Sequence, residues 1–356
     1  MRWVKILAVQ AVIAVLLLEA LLRVYNPLPF RLRGDDIVLP AGFRYTRHNA
    51  PGSKLDPVTV HTKNRLGFRG PDLPSDFDSR LSIITVGGST TECFLLSDGK
   101  TWTDVMAAEL ARTIPRVWVN NAGFDGQSTF GHLVLLRSVL VKLKPTVVLF
   151  LTGINDVGMD WGANSEFETP DPSNQRVVHR LARYSEIFNS AQNLVRARRA
   201  RRFVFGDQPV DFAAYRHFSM TDADVAAYVA SYQRSLAGYE ARLVRLARES
   251  RAARIEPVFL TQPELAGDAV DPETGLDLGT MAEHDDRNGR AEWRLLEMYN
   301  DVTRRVAARD GVFLIDLAHR LPRDSRYFYD FVHYGNEGAR AVGLIVAAEL
   351  APHLAR

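Results

Sequence analysis

The chain has 356 residues, of which 46% are hydrophobic and 24% charged, which is the composition of an ordinary globular protein with room for a sizeable core. Its formal net charge of +2 makes no case for nucleic-acid binding, and we expect no nucleic-acid partner. Its single cysteine, Cys93, excludes an intrachain disulfide and a cysteine-rich metal site.

Residues 1–26 predict a signal anchor or transmembrane helix. Arg2 and Lys5 precede a strongly apolar run, Ile6 to Leu22, that is interrupted only by Gln10 and Glu19. No small-residue cleavage site follows, and seventeen residues is the short end of a spanning helix, so an uncleaved anchor is favoured over a removed signal peptide. An amphipathic helix packed on the body is the weaker alternative, because the two polar residues do not build a polar face.

The flanking charges give the expected orientation. Arg2 and Lys5 favour an inside N-terminus, although Arg23, Arg31 and Arg33 lie just beyond the other end of the apolar run. A basic start followed by an apolar core is typical of exported proteins. We therefore predict a single-pass protein of the inner (cytoplasmic) membrane, with its body on the periplasmic or extracytoplasmic side.

Residues 27–80 read as an irregular lead-in segment. Pro27 and Pro29 end the anchor helix, and Pro and Gly recur as far as Arg80. Short extended pieces such as Val58 to Thr62 interrupt it. We expect this segment to wrap around the body.

From residue 81 to 356 the pattern alternates short apolar strands with longer helical stretches. The predicted strands are Leu81 to Val86, Arg116 to Asn120, Thr146 to Leu151, Glu256 to Thr261 and Val312 to Asp316. The predicted helices are Thr101 to Arg112, Gly131 to Leu143, Thr221 to Glu249, Ala291 to Arg309 and Asn336 to Leu350. Buried strands alternating with helices predict a three-layer α/β/α fold with a five-stranded, flavodoxin-like parallel sheet.

The long predicted helix begins with Thr221 and Asp224, which resemble a capping box.

About a hundred residues separate the third and fourth strands, so residues 158–220 are expected to contain an insertion beside the functional edge of the sheet. Within it, Arg196 to Arg202 is a basic cluster, read as a solvated helix face, with contact to lipid headgroups or an anionic polymer as the alternative.

Four short motifs follow strand ends. Ser89 follows the first strand on a Gly-Gly turn, Asn121 to Gly123 the second, Gly153 to Asp156 the third, and Asp330 to His333 lies after the fifth. Ligand sites in parallel sheets form outside the carboxyl ends of the strands, so these motifs are expected to meet at one edge. Taken alone, Ser89 would be a strand-ending turn residue.

The residue types suit acyl transfer. A serine hydroxyl needs a base, and His333 is suitable because an unperturbed imidazole titrates near pH 6.5. Asp330 can hold the imidazole in the right tautomer. The backbone N–H groups of Ser89 and Gly123 and the side-chain amide of Asn155 would serve as an oxyanion hole.

Taken together, these motifs resemble those of the SGNH, or GDSL-type, hydrolase superfamily. The stretches that carry the resemblance are VGGSTTEC, NNAGFDGQS, LTGINDVG and YDFVHYGNEGA, in the family's order. The resemblance implies Ser89 as nucleophile, His333 as base, Asp330 as its orienting carboxylate, and Gly123 and Asn155 in the oxyanion hole.

Some positions depart from the family pattern. Gly88 replaces the Asp of Gly-Asp-Ser, and Cys93 stands where a glycine often occurs. The Gly-Gly-Ser-Thr-Thr form and the segment Asn64 to Gly70 are similar to a membrane-anchored bacterial subgroup associated with surface polysaccharides. Thr91 breaks a Gly-x-Ser-x-Gly elbow, which argues against the α/β-hydrolase fold.

We therefore expect a serine esterase that releases short acyl groups such as acetyl from a carbohydrate or surface polysaccharide. The alternatives are a polysaccharide O-acyltransferase, a lipase, and a non-catalytic carbohydrate-binding or assembly module. No cofactor and no metal is expected, since no pair of histidines has metal-ligand spacing and His132 and His319 are read as structural or solvated. Asp156 either shapes its loop or stabilises a turn.

Overall fold

The computed structural model describes residues 2–26, 32–34, 36–159, 177–200, 209–282 and 286–355. The chain forms two compact units. The small unit comprises Met1–Val38 and Gly162–Val204, and the large unit comprises Leu39–Trp161 and Phe205–Arg356. This division cuts the lead-in between Val38 and Leu39, and most of the expected insertion joins the N-terminal helix.

The strands are short, and five of them match the apolar runs of the sequence. They are β1 (Leu32–Arg33), β2 (Asp36–Ile37), β3 (Arg44–His48), β4 (Val58–Thr62), β5 (Ser82–Val86), β6 (Trp118–Asn121), β7 (Val147–Thr152), β8 (Arg216–His217), β9 (Glu256–Thr261), β10 (Met281–Ala282) and β11 (Phe313–Ile315).

The helices are α1 (Arg2–Val24), α2 (Ser89–Glu92), α3 (Trp102–Leu110), α4 (Thr129–Leu135), α5 (Val141–Leu143), α6 (Val177–Tyr184), α7 (Glu186–Ala200), α8 (Asp222–Ala230), α9 (Gln233–Ala252), α10 (Gly289–Asp310), α11 (Leu317–Arg320) and α12 (Asn336–Leu354).

The central sheet of the large unit has the order β11-β9-β7-β5-β6, with every neighbouring pair parallel. In chain order its strands lie 2-1-3-4-5, the flavodoxin-like arrangement, so the predicted fold is confirmed. The order reverses between β5 and β7. The carboxyl ends of those two strands therefore flank the crevice in which such folds bind ligands.

Successive residues of each central strand face opposite helical layers. Leu149 and Leu260, on one face, belong to the same apolar cluster as Trp102 of α3 and Val346 of α12. On the other face, Phe150 packs against His132 of α4, with ring centroids 6.2 Å apart. Helices α9 and α10 pack together and against β9. The sheet is thus buried on both sides, which explains why its strands read as unbroken apolar runs.

Two predicted helices have internal irregularities. The stretch Thr221 to Glu249 is two helices, α8 and α9, because the backbone breaks at Ser231 and Tyr232. The capping box at its start is present: the Thr221 side chain accepts from the Asp224 N–H, and the Asp224 side chain accepts from the Thr221 N–H. Between α4 and α5, Leu136–Leu140 forms a π-helical turn.

The lead-in contains the antiparallel hairpin β3–β4, and β4 coincides with the predicted extended piece. Of the basic cluster Arg196 to Arg202, the first five residues continue α7, and Arg201 and Arg202 lie outside the described residues.

Candidate active site

Ser89 begins α2, three residues after the end of β5. The turn between them is tight: a Cβ at Gly87 would collide with the side chain of Thr91, one turn further along. Glycine is therefore required at position 87 because the Thr91 side chain lies too close for a Cβ. The backbone φ at this position is not one that favours glycine. The turn leaves Ser89 half-buried at the carboxyl edge of the sheet.

The loop between α11 and α12 carries Asp330 and His333, both only 4% exposed. His333 Nε2 lies 2.7 Å from Ser89 Oγ, and His333 Nδ1 lies 2.6 Å from Asp330 Oδ2. Asp330 Oδ1 accepts from the backbone N–H groups of Val332 and His333 at 2.9 and 2.7 Å. These bonds fix the carboxylate, which in turn fixes the imidazole. The structure thus brings together the three side chains predicted to act together.

Asn155 lies after β7, across the crevice from Ser89. It belongs to the short 3-10 turn Ile154–Asp156. Its Nδ2 donates to the carbonyl oxygen of Gln127 at 3.3 Å and approaches Gly88 so closely that a Cβ there would collide with it. A side-chain amide has two N–H donors, so this contact leaves one for a substrate.

The structure does not place Gly123 as predicted. Its N–H donates to the side-chain oxygen of Asn121 at 2.8 Å, and a Cβ at Gly123 would collide with the backbone of Glu92. This buried glycine permits close packing behind the Gly-Gly-Ser turn and does not offer a free donor. A second glycine in the same loop, Gly126, was not among the predicted residues; it is exposed, has φ of 67° and precedes Gln127. Its signal in the sequence was that the loop contains two glycines.

The turn that holds Asn155 is itself fastened to the helices behind it. Asp156 is buried and accepts from the backbone N–H of Thr129, at the start of α4, at 3.1 Å. The guanidinium of Arg242, on α9, lies 3.0 Å from Asp156 and also donates to Thr129 Oγ1 at 2.6 Å. Asp156 therefore joins its loop to α4 and α9 through a buried ion pair.

Arg69, in the lead-in, holds the segment that follows α2. It is 2% exposed, and its guanidinium donates to the carbonyl oxygens of Glu92, Cys93 and Leu96 at 2.9, 2.6 and 2.8 Å. Cys93 has the left-handed conformation, with φ of 51°, in which glycine is favoured. A planar donor fork thus stabilises a strained turn directly after α2.

A buried ion pair joins the lead-in to Glu92 of α2, and Glu92 also contacts the loop between β6 and α4, which contains Gly126. Lys63 Nζ lies 2.7 Å from one carboxylate oxygen of Glu92, and the other oxygen accepts from the backbone N–H of Asp125 at 2.7 Å. Burial disfavours the charged carboxylate, but Lys63 outweighs it and lowers the pKa of Glu92. The carboxylate therefore positions the residue that precedes Gly126.

The lead-in also contacts the loop between α11 and α12, which carries His333. The Lys54 ammonium donates to the carbonyl oxygen of Phe328 at 3.2 Å and to that of Ser325. The backbone carbonyl of Lys54 accepts from Asn336, at the start of α12. The lead-in, which was predicted to wrap around the body, thus contacts both the segment that follows Ser89 and the loop that carries His333.

Two further side chains of reactive types, Cys93 and His132, are buried. Burial raises the pKa of the Cys93 thiol to about 12, so this thiol is inert. Burial lowers the pKa of His132 to about 3. In the part of the chain that the structure describes, no group of three His, Cys, Asp or Glu side chains is arranged to hold a metal ion.

Comparisons with known proteins agree with this architecture. A sequence model of the GDSL-like lipase/acylhydrolase family matches residues 84–270, a stretch that includes Ser89 and Asn155. No curated protein matches the chain.

Three solved structures have partial similarity to this chain. A lipase/acylhydrolase from Enterococcus faecalis is 16% identical, with 76% of this chain and 96% of that chain covered and a TM-score of 0.43. A catalytic mutant of an acetylxylan esterase from Geobacillus stearothermophilus is 15% identical, with 76% and 93% covered and a TM-score of 0.43. A psychrotrophic esterase from Pseudoalteromonas sp. is 13% identical, with 78% and 100% covered and a TM-score of 0.43.

Because the family model spans more than half of its residues, this chain belongs to the GDSL-like lipase/acylhydrolase family and is a hydrolase that acts on ester bonds.

Proposed function

We propose that the chain is a serine esterase that works through an acyl-Ser89 intermediate. The observation that carries this proposal is the continuous hydrogen-bonded series from Ser89 Oγ through His333 to Asp330, with separations of 2.7 and 2.6 Å. A carbohydrate-binding module has no need of a buried carboxylate that orients a histidine towards an accessible serine. The series therefore favours catalysis over the non-catalytic alternative.

The chemistry follows from these three groups. His333 takes the Ser89 proton as Oγ attacks the ester carbonyl, and Asp330 stabilises the imidazolium that forms. Collapse of the tetrahedral intermediate breaks the ester C–O bond, and the imidazolium returns the proton to the leaving alcohol. Water then repeats the sequence on the acyl-serine, which releases the acid and restores the hydroxyl.

We assign the oxyanion hole to the N–H of Ser89, the Nδ2 of Asn155 and the N–H of Gly126. Gly126 replaces the predicted Gly123, whose N–H is engaged by Asn121. Gly126 is exposed and adjoins Gln127, the residue that contacts Asn155. Loss of one such donor typically lowers the rate about 10²- to 10³-fold.

For the substrate we propose short acyl esters, acetyl first, on a carbohydrate or surface polysaccharide. The support is the resemblance to the membrane-anchored Gly-Gly-Ser-Thr-Thr subgroup. A sugar hydroxyl in place of water as acceptor would make the same machinery an O-acyltransferase, and a long acyl chain would make it a lipase.

We also propose that α1 anchors the protein in the inner membrane, with the large unit on the extracytoplasmic side. The helix has 23 residues, contains an 18-residue stretch with a mean hydropathy of 2.3, and has no buried residue. A helix of these properties can cross a membrane or serve as a signal sequence.

The test uses the purified full-length chain with p-nitrophenyl esters of increasing acyl length. We expect a burst of p-nitrophenol followed by turnover, fastest for acetate. Ser89→Ala should abolish both, while Ser231→Ala, an exposed serine between α8 and α9, should leave both unchanged. Mass spectrometry of the quenched burst should find the acyl group on Ser89.

Equal release by wild type and Ser89→Ala would refute the acyl-serine mechanism. Turnover that appears only when an oligosaccharide acceptor is added, with the acyl group recovered on the sugar, would assign the chain as a transferase.

A further inference from the structure

The small unit contains a helical hairpin, α6–α7, that is fastened to α1. Glu19 of α1 accepts from Ser185 Oγ at 2.8 Å and from the backbone N–H groups of Glu186 and Ile187 at 2.9 and 3.2 Å. These N–H groups begin α7 and have no partner within the helix. Glu19, the acidic interruption of the apolar run, thus caps a helix 167 residues away in the chain.

A second contact strengthens this junction. Arg23, one turn after Glu19, donates to it at 2.9 Å and also donates to the carbonyl oxygen of Tyr184 at the end of α6. Since an α-helix rises about 1.5 Å per residue, the corner of the hairpin meets the last ~8 Å of α1. If α1 spans a bilayer, this corner lies at the boundary between acyl chains and headgroups.

The hairpin buries polar side chains and exposes apolar ones. Asn189, Ser190 and Asn193 of α7 are buried; Asn193 donates to the carbonyl oxygen of Leu32 at 2.7 Å, and Asn189 accepts from Gly34. Five large apolar side chains point outward, between 41% and 71% exposed, while Ile187 is half-buried: the five are Leu181, Tyr184, Phe188, Leu194 and Val195. This is the reverse of the pattern of a helix on a water-soluble core.

We propose that the α6–α7 hairpin is a membrane-interface element whose outward apolar side chains lie in the headgroup–acyl boundary beside α1. The partner is lipid, because the corner of the hairpin is bonded to Glu19 and Arg23 of α1, a helix whose apolar side chains are themselves exposed. Tyr184, the most exposed of the five at 71%, sits at the corner where aromatic side chains favour a membrane boundary. The proposal rests on the proposed anchor.

The test is fluorescence quenching of the full-length chain in liposomes. A cysteine-directed NBD label is placed at Tyr184→Cys or Phe188→Cys; the buried Cys93 thiol, with its pKa near 12, serves as an unreactive background that unlabelled wild type verifies. Val12→Cys on α1 is the bilayer reference, and Ala226→Cys, exposed on α8 of the large unit, is the aqueous reference. Lipids with a doxyl group at a shallow or a deep acyl position quench the label.

We expect shallow doxyl lipid to quench labels at 184 and 188 at least about threefold more than the label at 226, with deep doxyl lipid quenching the label at 12 most. Labels at 184 and 188 that behave like the label at 226 while the label at 12 is quenched would overturn the hairpin proposal and leave the anchor standing. A blue shift at 184 without doxyl quenching would assign the surface to a protein partner and also overturn it. Absence of quenching at 12 would refute the anchor, and the hairpin proposal with it.

Glu19 offers a second variant. Glu19→Ala removes the cap, so shallow quenching at 184 should fall by about half while the label at 12 is unaffected. Glu19→Gln keeps an acceptor oxygen and should retain most of the quenching. Equal quenching in all three proteins would refute the role of Glu19 as the docking residue.

Discussion

Gly88 explains how a chain without the family's Gly-Asp-Ser sequence accommodates the side-chain amide of Asn155, the proposed oxyanion donor. Asn155 Nδ2 packs directly over the Gly88 Cα, where a Cβ would collide with it. The backbone of Gly88 has φ of −83°, outside the left-handed region that favours glycine. The requirement for glycine is therefore steric and concerns the amide of Asn155.

This contact predicts the effect of Gly88→Ala. The added methyl group should displace Asn155 and lower kcat about 10²- to 10³-fold, as Asn155→Ala should, with KM little changed. Because both variants remove the same donor, the double variant should be no slower than Asn155→Ala alone. Steady-state kinetics of the three variants, with thermal unfolding to verify folding, measure this.

Multiplicative losses in the double variant would show that Gly88 acts through something other than Asn155. Gly99→Ala cannot serve as control, since Gly99 has φ of 82°. Ala111→Gly, at the exposed end of α3, tests the kinetic effect of a small change outside the site and should leave kcat unchanged.

Much of the candidate site was readable from the sequence because strand topology alone determines which motifs meet. The carboxyl ends of β5 and β7 bring Ser89 and Asn155 together, and the loop before α12 brings His333 to Ser89. The choice between Gly123 and Gly126 was not readable. It depends on whether the Asn121 side chain turns towards a neighbouring N–H, which is a local detail that no sequence period encodes.

At the scale of elements, the lead-in acts as part of the catalytic unit. Arg69 bonds the carbonyls that follow α2, and Lys54 bonds the loop that carries His333. The family model begins at residue 84, so the lead-in lies outside the matched stretch. The serine and histidine sides of this site therefore depend on a segment that the family match does not include.

We predict that Arg69→Met destabilises the protein by about 3 kcal/mol or more, because three buried carbonyl oxygens lose their donor together. Denaturant unfolding measures this. The matched control is Arg65→Met in the same segment, whose side chain is 92% exposed and which should change stability by less than about 0.5 kcal/mol. Similar losses in the two variants would mean that the Arg69 bonds contribute little.

Some helices and strands could be predicted from a local sequence pattern, and others could not. Fully buried strands give unbroken apolar runs, so the five central strands were predicted within two residues at each end. The break between α8 and α9 was not, because the apolar period continues through Ser231 and Tyr232. Arg69 likewise carries no signal of burial, since a lone arginine in a Pro- and Gly-containing stretch is typical of an exposed loop.

At the scale of the whole molecule, two buried histidines make stability depend on pH. Burial, with the nearby charges of Arg69 and Lys63, lowers the pKa of His61 to about 4, and burial lowers that of His132 to about 3. In the unfolded chain histidine titrates near 6.5. Below that pH the unfolded chain binds protons that the folded chain does not, so the free energy of unfolding falls as pH falls.

We therefore predict that these histidines make no pH-dependent contribution above about pH 7, and that stability declines from pH 6.5 towards pH 3. His132→Leu should make this decline shallower, by several kcal/mol over the whole range. Denaturant unfolding at intervals of one pH unit measures it. The same comparison at pH 8, where both histidines are neutral, isolates the packing effect of the substitution, and an unchanged slope would contradict the prediction.

Ser89 and His333 are 244 positions apart in the sequence, and this separation affects when an active hydrolase can form during synthesis. Chains grow from the N-terminus at roughly 5–20 residues per second, so Ser89 is synthesised some 10 to 50 seconds before His333. A serine without a base is a poor nucleophile. In the proposed mechanism, a nascent or prematurely ended chain that already displays the Gly-Gly-Ser turn is therefore inert towards esters, and hydrolysis begins only after the loop before α12 has been synthesised and folded into place.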